Sequence, residues 1–257
     1  MVFTAAGLGL APAEPAAAAA LDHEKEYRAC IRLAQTNPAK AQPAAEYWAK
    51  KGGGSGARHC LAVAMVGNRK PAQAAALFEK LGSDQTRPPE ARAQMLAQGA
   101  QAWVLAKNPK KAIATLDRAV ALAPNVAAYR IDRAVAHAAS GQHQKTLEDL
   151  NAALKIDPDN AEAYTFRASA YRFTGDLASA RADIERALTL APQRGDALLE
   201  RGVIKVMTGD RAGGRADWQA IVQMAPGSPL ARAAQENLAR LEQPAGGAPA
   251  SAGNAAR

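Results

Sequence analysis

Aromatic side chains make up only 5% of this 257-residue chain, and cysteine occurs twice. So few rings exclude a thick core of large side chains and favour close packing of small residues, chiefly alanine. Two cysteines and four histidines supply no closely spaced ligand set of the kind a structural zinc needs. His59 beside Cys60 stands alone, and His23, His137 and His143 fall in no spacing with carboxylates. There is no Walker-type loop, GxSxG elbow, HExxH helix or GxGxxG after a strand, and the run Gly52-Gly53-Gly54-Ser55-Gly56 has no following Lys-Ser/Thr. No catalytic residue, cofactor or metal is expected. No apolar run is long enough to cross a membrane. No dense Lys/Arg run with interleaved aromatics appears, so nucleic acid is not an expected partner.

What the chain has is a metre. Pro124, Pro158, Pro192 and Pro226 stand 34 residues apart, and so do Leu116, Leu150, Ile184 and Trp218. Ala119, Ala153, Ala187 and Ile221 keep the same spacing, as do Gly141, Gly175 and Gly209. A fixed period of this length is the mark of stacked supersecondary units. Each unit reads as helix, turn, helix. The glycines suit tight turns that need a left-handed residue, Lys107-Asn108-Pro109 fills that place in the first unit, and the prolines end each second helix. The regular units are 93–126, 127–160, 161–194 and 195–228. Ser228-Pro229 opens a last helix over 229–242, Ser as N-cap and Pro in the first turn. Its apolar face, Leu230, Ala234, Leu238 and Leu241, would cap the stack. Residues 243–257, rich in Ala, Gly, Pro and Ser, read as a disordered tail.

Charge is uneven along the chain. The net formal charge is +8, yet residues 127–194 balance 9 Lys/Arg against 9 Asp/Glu while residues 22–126 carry 16 against 8. The basic excess therefore lies in the irregular stretch and the first unit. It reads first as a solvated surface, and secondly as an attraction for acidic partners. Over 22–92 the pattern is degenerate. Tyr27, Ile31 and Ala34 give one face, Ala44, Tyr47 and Trp48 another after a break at Asn37-Pro38. A flexible Gly52–Gly56 loop leads to a second hairpin, Ala57–Val66 and Ala72–Leu81.

Residues 1–20 read as a secretory signal or as a disordered tail. Val2 to Leu10 is apolar and Ala16 to Ala20 offers small-residue cleavage sites, but no Lys or Arg precedes the run. Export would place the protein in the periplasm or outside the cell and would favour a Cys30–Cys60 disulfide; a cytoplasmic protein would keep two thiols.

The array resembles tetratricopeptide repeats (TPR). The clearest unit shows Tyr164, Arg167-Ala168, Tyr171, Gly175, Ala180, Ile184, Ala187 and Pro192 in the family's pattern of aromatic, small, aromatic, Gly, Ala, large, Ala and Pro. The resemblance covers about half the chain firmly and 22–92 loosely. The arrangement after a cysteine-bearing hairpin looks like exported bacterial TPR proteins. The resemblance implies an all-α fold, a right-handed superhelical solenoid with a C-terminal capping helix, and a non-catalytic scaffold or assembly factor that binds a protein or peptide. A cytoplasmic adaptor is the alternative and an enzyme a more remote one. Partner identity, pathway and oligomeric state are not legible.

Two residue sets carry this reading. Arg133, Arg167 and Arg201 recur at 34, and so do Asp149, Asp183 and Asp217, 16 residues later. In the first unit both positions change together, to Gly99 and Thr115. That joint loss predicts ion pairs within each hairpin rather than between hairpins. The second set comes from the resemblance, which implies a concave face lined by the first helices. Its positions are Gln94, Ala97 and Gln101; Ile131, Val135 and Ala138; Thr165, Ser169 and Arg172; Leu199, Val203 and Val206. Only Arg172 is cationic, so a carboxylate-clamp co-chaperone is not expected. Of these, Ile131, Val135, Thr165, Ser169, Arg172, Leu199 and Val203 are the candidate partner-binding residues, with Leu199, Val203 and Val206 the most open to packing against the C-terminal helix instead.

Overall fold

A computed structural model describes residues 15–243, with their side chains from residue 23 onward. The run Val2–Leu10, the cleavage region near Ala20 and the expected tail, Gln243 apart, lie outside the residues whose side chains are described. Thirteen helices and no strand occur among the described residues. The chain divides into two compact units, Met1–Thr115 and Leu116–Arg257.

In the first unit α1 (Pro15–Thr36), α2 (Pro38–Lys50), α3 (Gly54–Gly67), α4 (Pro71–Gly82) and α5 (Pro89–Leu105) follow one another. Asn37 ends α1 and caps α2, its side chain accepting from Lys40 N at 3.1 Å, with Pro38 in the first turn where a missing N–H costs nothing. The core here is built of small residues. Ala34, Ala41, Ala45 and Ala64 bury completely or nearly so beside Cys60. Cys30 is bonded to Cys60, which ties α1 to α3 across a separation of 30 residues. Two expectations are corrected. The apolar face of α2 is Ala41 and Ala45, and Tyr47 is 64% exposed. The glycine run is not all loop, because α3 begins at Gly54 and only Lys51–Gly53 connects the helices.

Helix α6 (Pro109–Leu122) runs through the point where the two units divide. In the second unit come α7 (Ala127–Ala139), α8 (His143–Ile156), α9 (Ala161–Thr174), α10 (Leu177–Leu190), α11 (Gly195–Met207), α12 (Arg211–Met224) and α13 (Pro229–Glu242). The helices pair as hairpins, α7 with α8, α9 with α10 and α11 with α12, and α9 also touches α7 and α11. Gly175 shows why the turns recur: at φ +85° its N–H reaches Arg172 O and the next N–H reaches Tyr171 O, a closure few L-residues adopt. Where the first regular unit lacks glycine, Lys107 takes the same region at φ +56°, at a cost of about 1 kcal/mol. Asp176, Asp210 and Ser228 cap the helices that follow them, each accepting from a backbone N–H three residues on at 2.8–3.0 Å.

Each hairpin buries one large residue of the 34-residue series: Leu150, Ile184 and Trp218 are all under 5% exposed. Trp218 is far larger than its counterparts, and the facing helix adjusts. Ala134 and Ala168 give way to Gly202, where an added Cβ would lie 2.3 Å from Trp218 Nε1. The indole N–H then donates to Leu199 O at 3.1 Å, so the one polar atom of the ring is satisfied. Helix α13 packs on α12 and α11, burying Ala231, Ala234 and Leu241.

Candidate functional site

Three arginines organise the second unit. Arg133 Nε and Nη2 donate to the two carboxylate oxygens of Asp149 at 2.8 and 2.5 Å. Arg167 does the same to Asp183 at 2.7 and 2.8 Å, and Arg201 to Asp217 at 2.9 and 2.7 Å. The bidentate fork fixes one helix of a hairpin against the other. The carboxylates are buried, with side chains 7–10% exposed, and the guanidiniums about a fifth exposed. Hydrogen bonds to these carboxylates are the main reason each guanidinium is held protonated above its ordinary range. All three pairs lie within a hairpin.

Each arginine also has a third prong, which the sequence reading missed. Nη1 of Arg133, Arg167 and Arg201 reaches Asp117, Asn151 and Glu185 at 2.8, 2.7 and 3.4 Å, each on the second helix of the preceding unit. The three acceptors are themselves 34 residues apart. In the first regular unit the substitute is different. Thr115 Oγ1 and Trp103 Nε1 both donate to Glu79 Oε1, at 2.5 and 3.1 Å, while Gly99 lies against Phe78.

The seven expected partner-binding residues divide under the structure. Ile131 is 5% exposed in a cluster with Leu150, Ala153 and Leu154, and Thr165 is 4% exposed with its hydroxyl donated to Ala161 O at 2.8 Å. Both side chains are buried, so neither is offered to a partner. Arg172 is no free cation: Nε and Nη2 donate to Glu200 at 2.5 and 3.3 Å, and Nη2 approaches Ser169 Oγ at 3.4 Å. Leu199 and Val203 pack onto the core cluster that includes Ala234 and Leu241 of α13.

Val135 and Ser169 remain, and they line one pocket. It holds about 370 Å³ between α7 and α9, with Ala138, Phe166, Phe173 and His143 as its other main walls. Phe173 is 60% exposed. The His143 ring stacks on it with centroids 4.9 Å apart and planes 2° from parallel. The Arg172 guanidinium lies 4.3 Å from the centroid of the same ring. His143 opens α8 half-buried, with Nδ1 buried and without a hydrogen-bond partner among the described residues. The pocket is thus mainly apolar, with Ser169, Thr146 and His143 as the polar residues of its lining.

The model of the tetratricopeptide repeat matches residues 102–170, and a second model of the same repeat matches 161–194. Residues 102–194 of this chain are tetratricopeptide repeats. The chain's fold is like that of the PilF protein of Pseudomonas aeruginosa, at a TM-score of 0.62 and 16% identity over 85% of this chain and 99% of that one. It is also like TTC0263, a TPR protein of Thermus thermophilus, at 0.59 and 18% over 73% and 98%. A third likeness is to YrrB, described as a TPR protein with an unusual peptide-binding site, at 0.51 and 16% over 70% and 91%. No curated protein matches the sequence. At these identities the likeness establishes the fold, and what distinguishes this chain rests on its own residues. Among the described residues no helix is long and apolar enough to cross a membrane, and no cluster of three or more His, Cys, Asp or Glu could hold a metal.

Proposed function

We propose that this protein is a non-catalytic interaction module, a scaffold or assembly factor, that takes one apolar side chain of a protein partner into the α7–α9 pocket. The observation that carries this is the pocket itself. An exposed phenylalanine, fixed on two sides by His143 and Arg172, stands over a 370 Å³ cavity lined by Val135, Ala138 and Phe166. Rigid exposed aromatics beside a concave apolar surface are the usual anchor of a peptide segment. Ser169 accepts from Arg172 and keeps its own O–H to donate, which would orient a backbone carbonyl.

On this reading the protein works in the bacterial periplasm. Support comes from the Cys30–Cys60 bond, since disulfides persist in oxidising compartments, and from the apolar run Val2–Leu10 before the small residues up to Ala20. N-terminal sequencing of protein recovered from cells, with a thiol count, tests the location: a start near Asp22 and no free thiol are expected, whereas Met1 with two thiols would assign it to the cytoplasm. Ala138→Arg tests the site. It should abolish binding to a partner captured by the wild type while leaving the fold intact; unchanged binding would refute the pocket's role.

A further inference from the structure

The first unit holds a second pocket with different chemistry. It encloses about 300 Å³ between α1, the first turn of α3 and α5, lined among others by Tyr27, Ser55, His59, Arg87, Gln94 and Gln98, with no carboxylate among its lining residues. Three of these side chains form a chain of hydrogen bonds. Tyr27 Oη lies 2.9 Å from His59 Nδ1, and His59 Nε2 lies 2.9 Å from Gln98 Oε1. Because the amide oxygen accepts, Nε2 carries the proton and Nδ1 accepts from the tyrosine. A neutral imidazole fits this arrangement, and burial, with Arg87 nearby, disfavours the charged form. The result leaves the Gln98 amide N–H groups free to donate.

Arg87 is the anomaly. Its Nη1 is buried and has no hydrogen-bond partner among the described residues. A buried guanidinium nitrogen without an acceptor is costly. The start of α3 adds to the same bias. Its N-cap, Gly53, makes no side-chain capping bond, and Ser55 and Gly56 of the first turn line the pocket. First-turn amides of a helix carry partial positive charge and lack partners within the helix. Donors therefore converge on one cavity from an arginine, a glutamine, a serine and a helix end.

We propose that this pocket binds an oxyanion, the carboxylate or phosphate group of a ligand, with Arg87 as the charged donor and Gln98 and Ser55 as neutral ones. Tyr27 and His59 act as positioning residues that hold the Gln98 amide in its orientation. The site is separate from the α7–α9 pocket and does not depend on it.

The test is an NMR titration of the ¹⁵N-labelled full chain with sodium acetate and, separately, with inorganic phosphate, at constant ionic strength. Saturable shifts of the Gln94 and Gln98 side-chain amides and of the Ser55 and Gly56 backbone amides are expected with at least one anion. Acetate alone would name a carboxylate, phosphate alone a phosphate group. Arg87→Gln should weaken the response by about tenfold or more, and Arg87→Lys should restore part of it. No saturable shift with either anion in the wild type would overturn the proposal. So would a folded Arg87→Gln that binds as tightly as the wild type.

Discussion

Arg167 joins two successive repeats: its Nη1 donates to Asn151 of the preceding unit at 2.7 Å while its Nε and Nη2 grip Asp183 of its own hairpin. The same three-way arrangement recurs at Arg133 and Arg201. One residue type per unit thus fixes both the hairpin angle and its seat on the unit before. This explains why so alanine-rich a stack, with few large side chains to interlock, keeps one arrangement.

Removing the centre of this arrangement should cost more than removing all of it. Arg167→Met leaves the Asp183 carboxylate buried and unpaired, with an expected loss of about 3–5 kcal/mol. Arg167→Met with Asp183→Leu should lose clearly less. Urea denaturation of the three proteins checks this, and equal small losses would show that the pair contributes little.

The third prong is exposed and should be worth less. Asn151→Ala is expected to cost about 1 kcal/mol. Asn151→Asp, which supplies the acceptor found at Asp117, should change stability by no more than about 1 kcal/mol, in the favourable direction and diminishing with salt. Melting curves at low and high ionic strength separate the two variants.

Gly202 and Trp218 should behave as one unit. Gly202→Ala alone puts a methyl into the indole and should cost about 1–3 kcal/mol. Combined with Trp218→Leu it recreates the Ala134–Leu150 pairing of the earlier hairpin. The double variant is expected to be more stable than the sum of the single effects. Strict additivity in a double-mutant cycle would contradict the compensation.

His59 sets a pH dependence whose sign follows from its burial. Its folded pKa lies below the ordinary 6.5, chiefly because burial disfavours the charged ring. The unfolded chain therefore binds the extra proton first. Stability is at its full value above the ordinary pKa and declines as pH falls through it toward the lower folded value. His59→Gln should flatten that part of the profile in chemical denaturation. An unchanged slope would mean that His59 does not titrate differently on folding.

The parts legible in the sequence are those where one physical demand recurs at fixed spacing with one residue type. Left-handed turns call for Gly141, Gly175 and Gly209, helix ends for proline, hairpin forks for Arg and Asp. The third prong escaped because its acceptors, Asp117, Asn151 and Glu185, share a position and an oxygen but not an identity. The groove was half legible. The family resemblance placed the candidates on the first helices, but it could not show that Thr165 turns its hydroxyl to its own helix or that Glu200, 28 residues away, holds Arg172. The Tyr27–His59–Gln98 chain joins residues 32 and 39 apart in the irregular stretch, where no period relates them.

The central claim is that the α7–α9 pocket is where a partner binds. Site-specific photocrosslinking in cells tests it most directly, with the reactive side chain at Ser169 in the pocket wall and, as control, at the exposed Glu148 of α8. The account predicts a discrete crosslinked species from Ser169, none from Glu148, and loss of the Ser169 product when Ala138→Arg fills the cavity. Equal crosslinking from both positions, or a Ser169 product that survives Ala138→Arg, would contradict it.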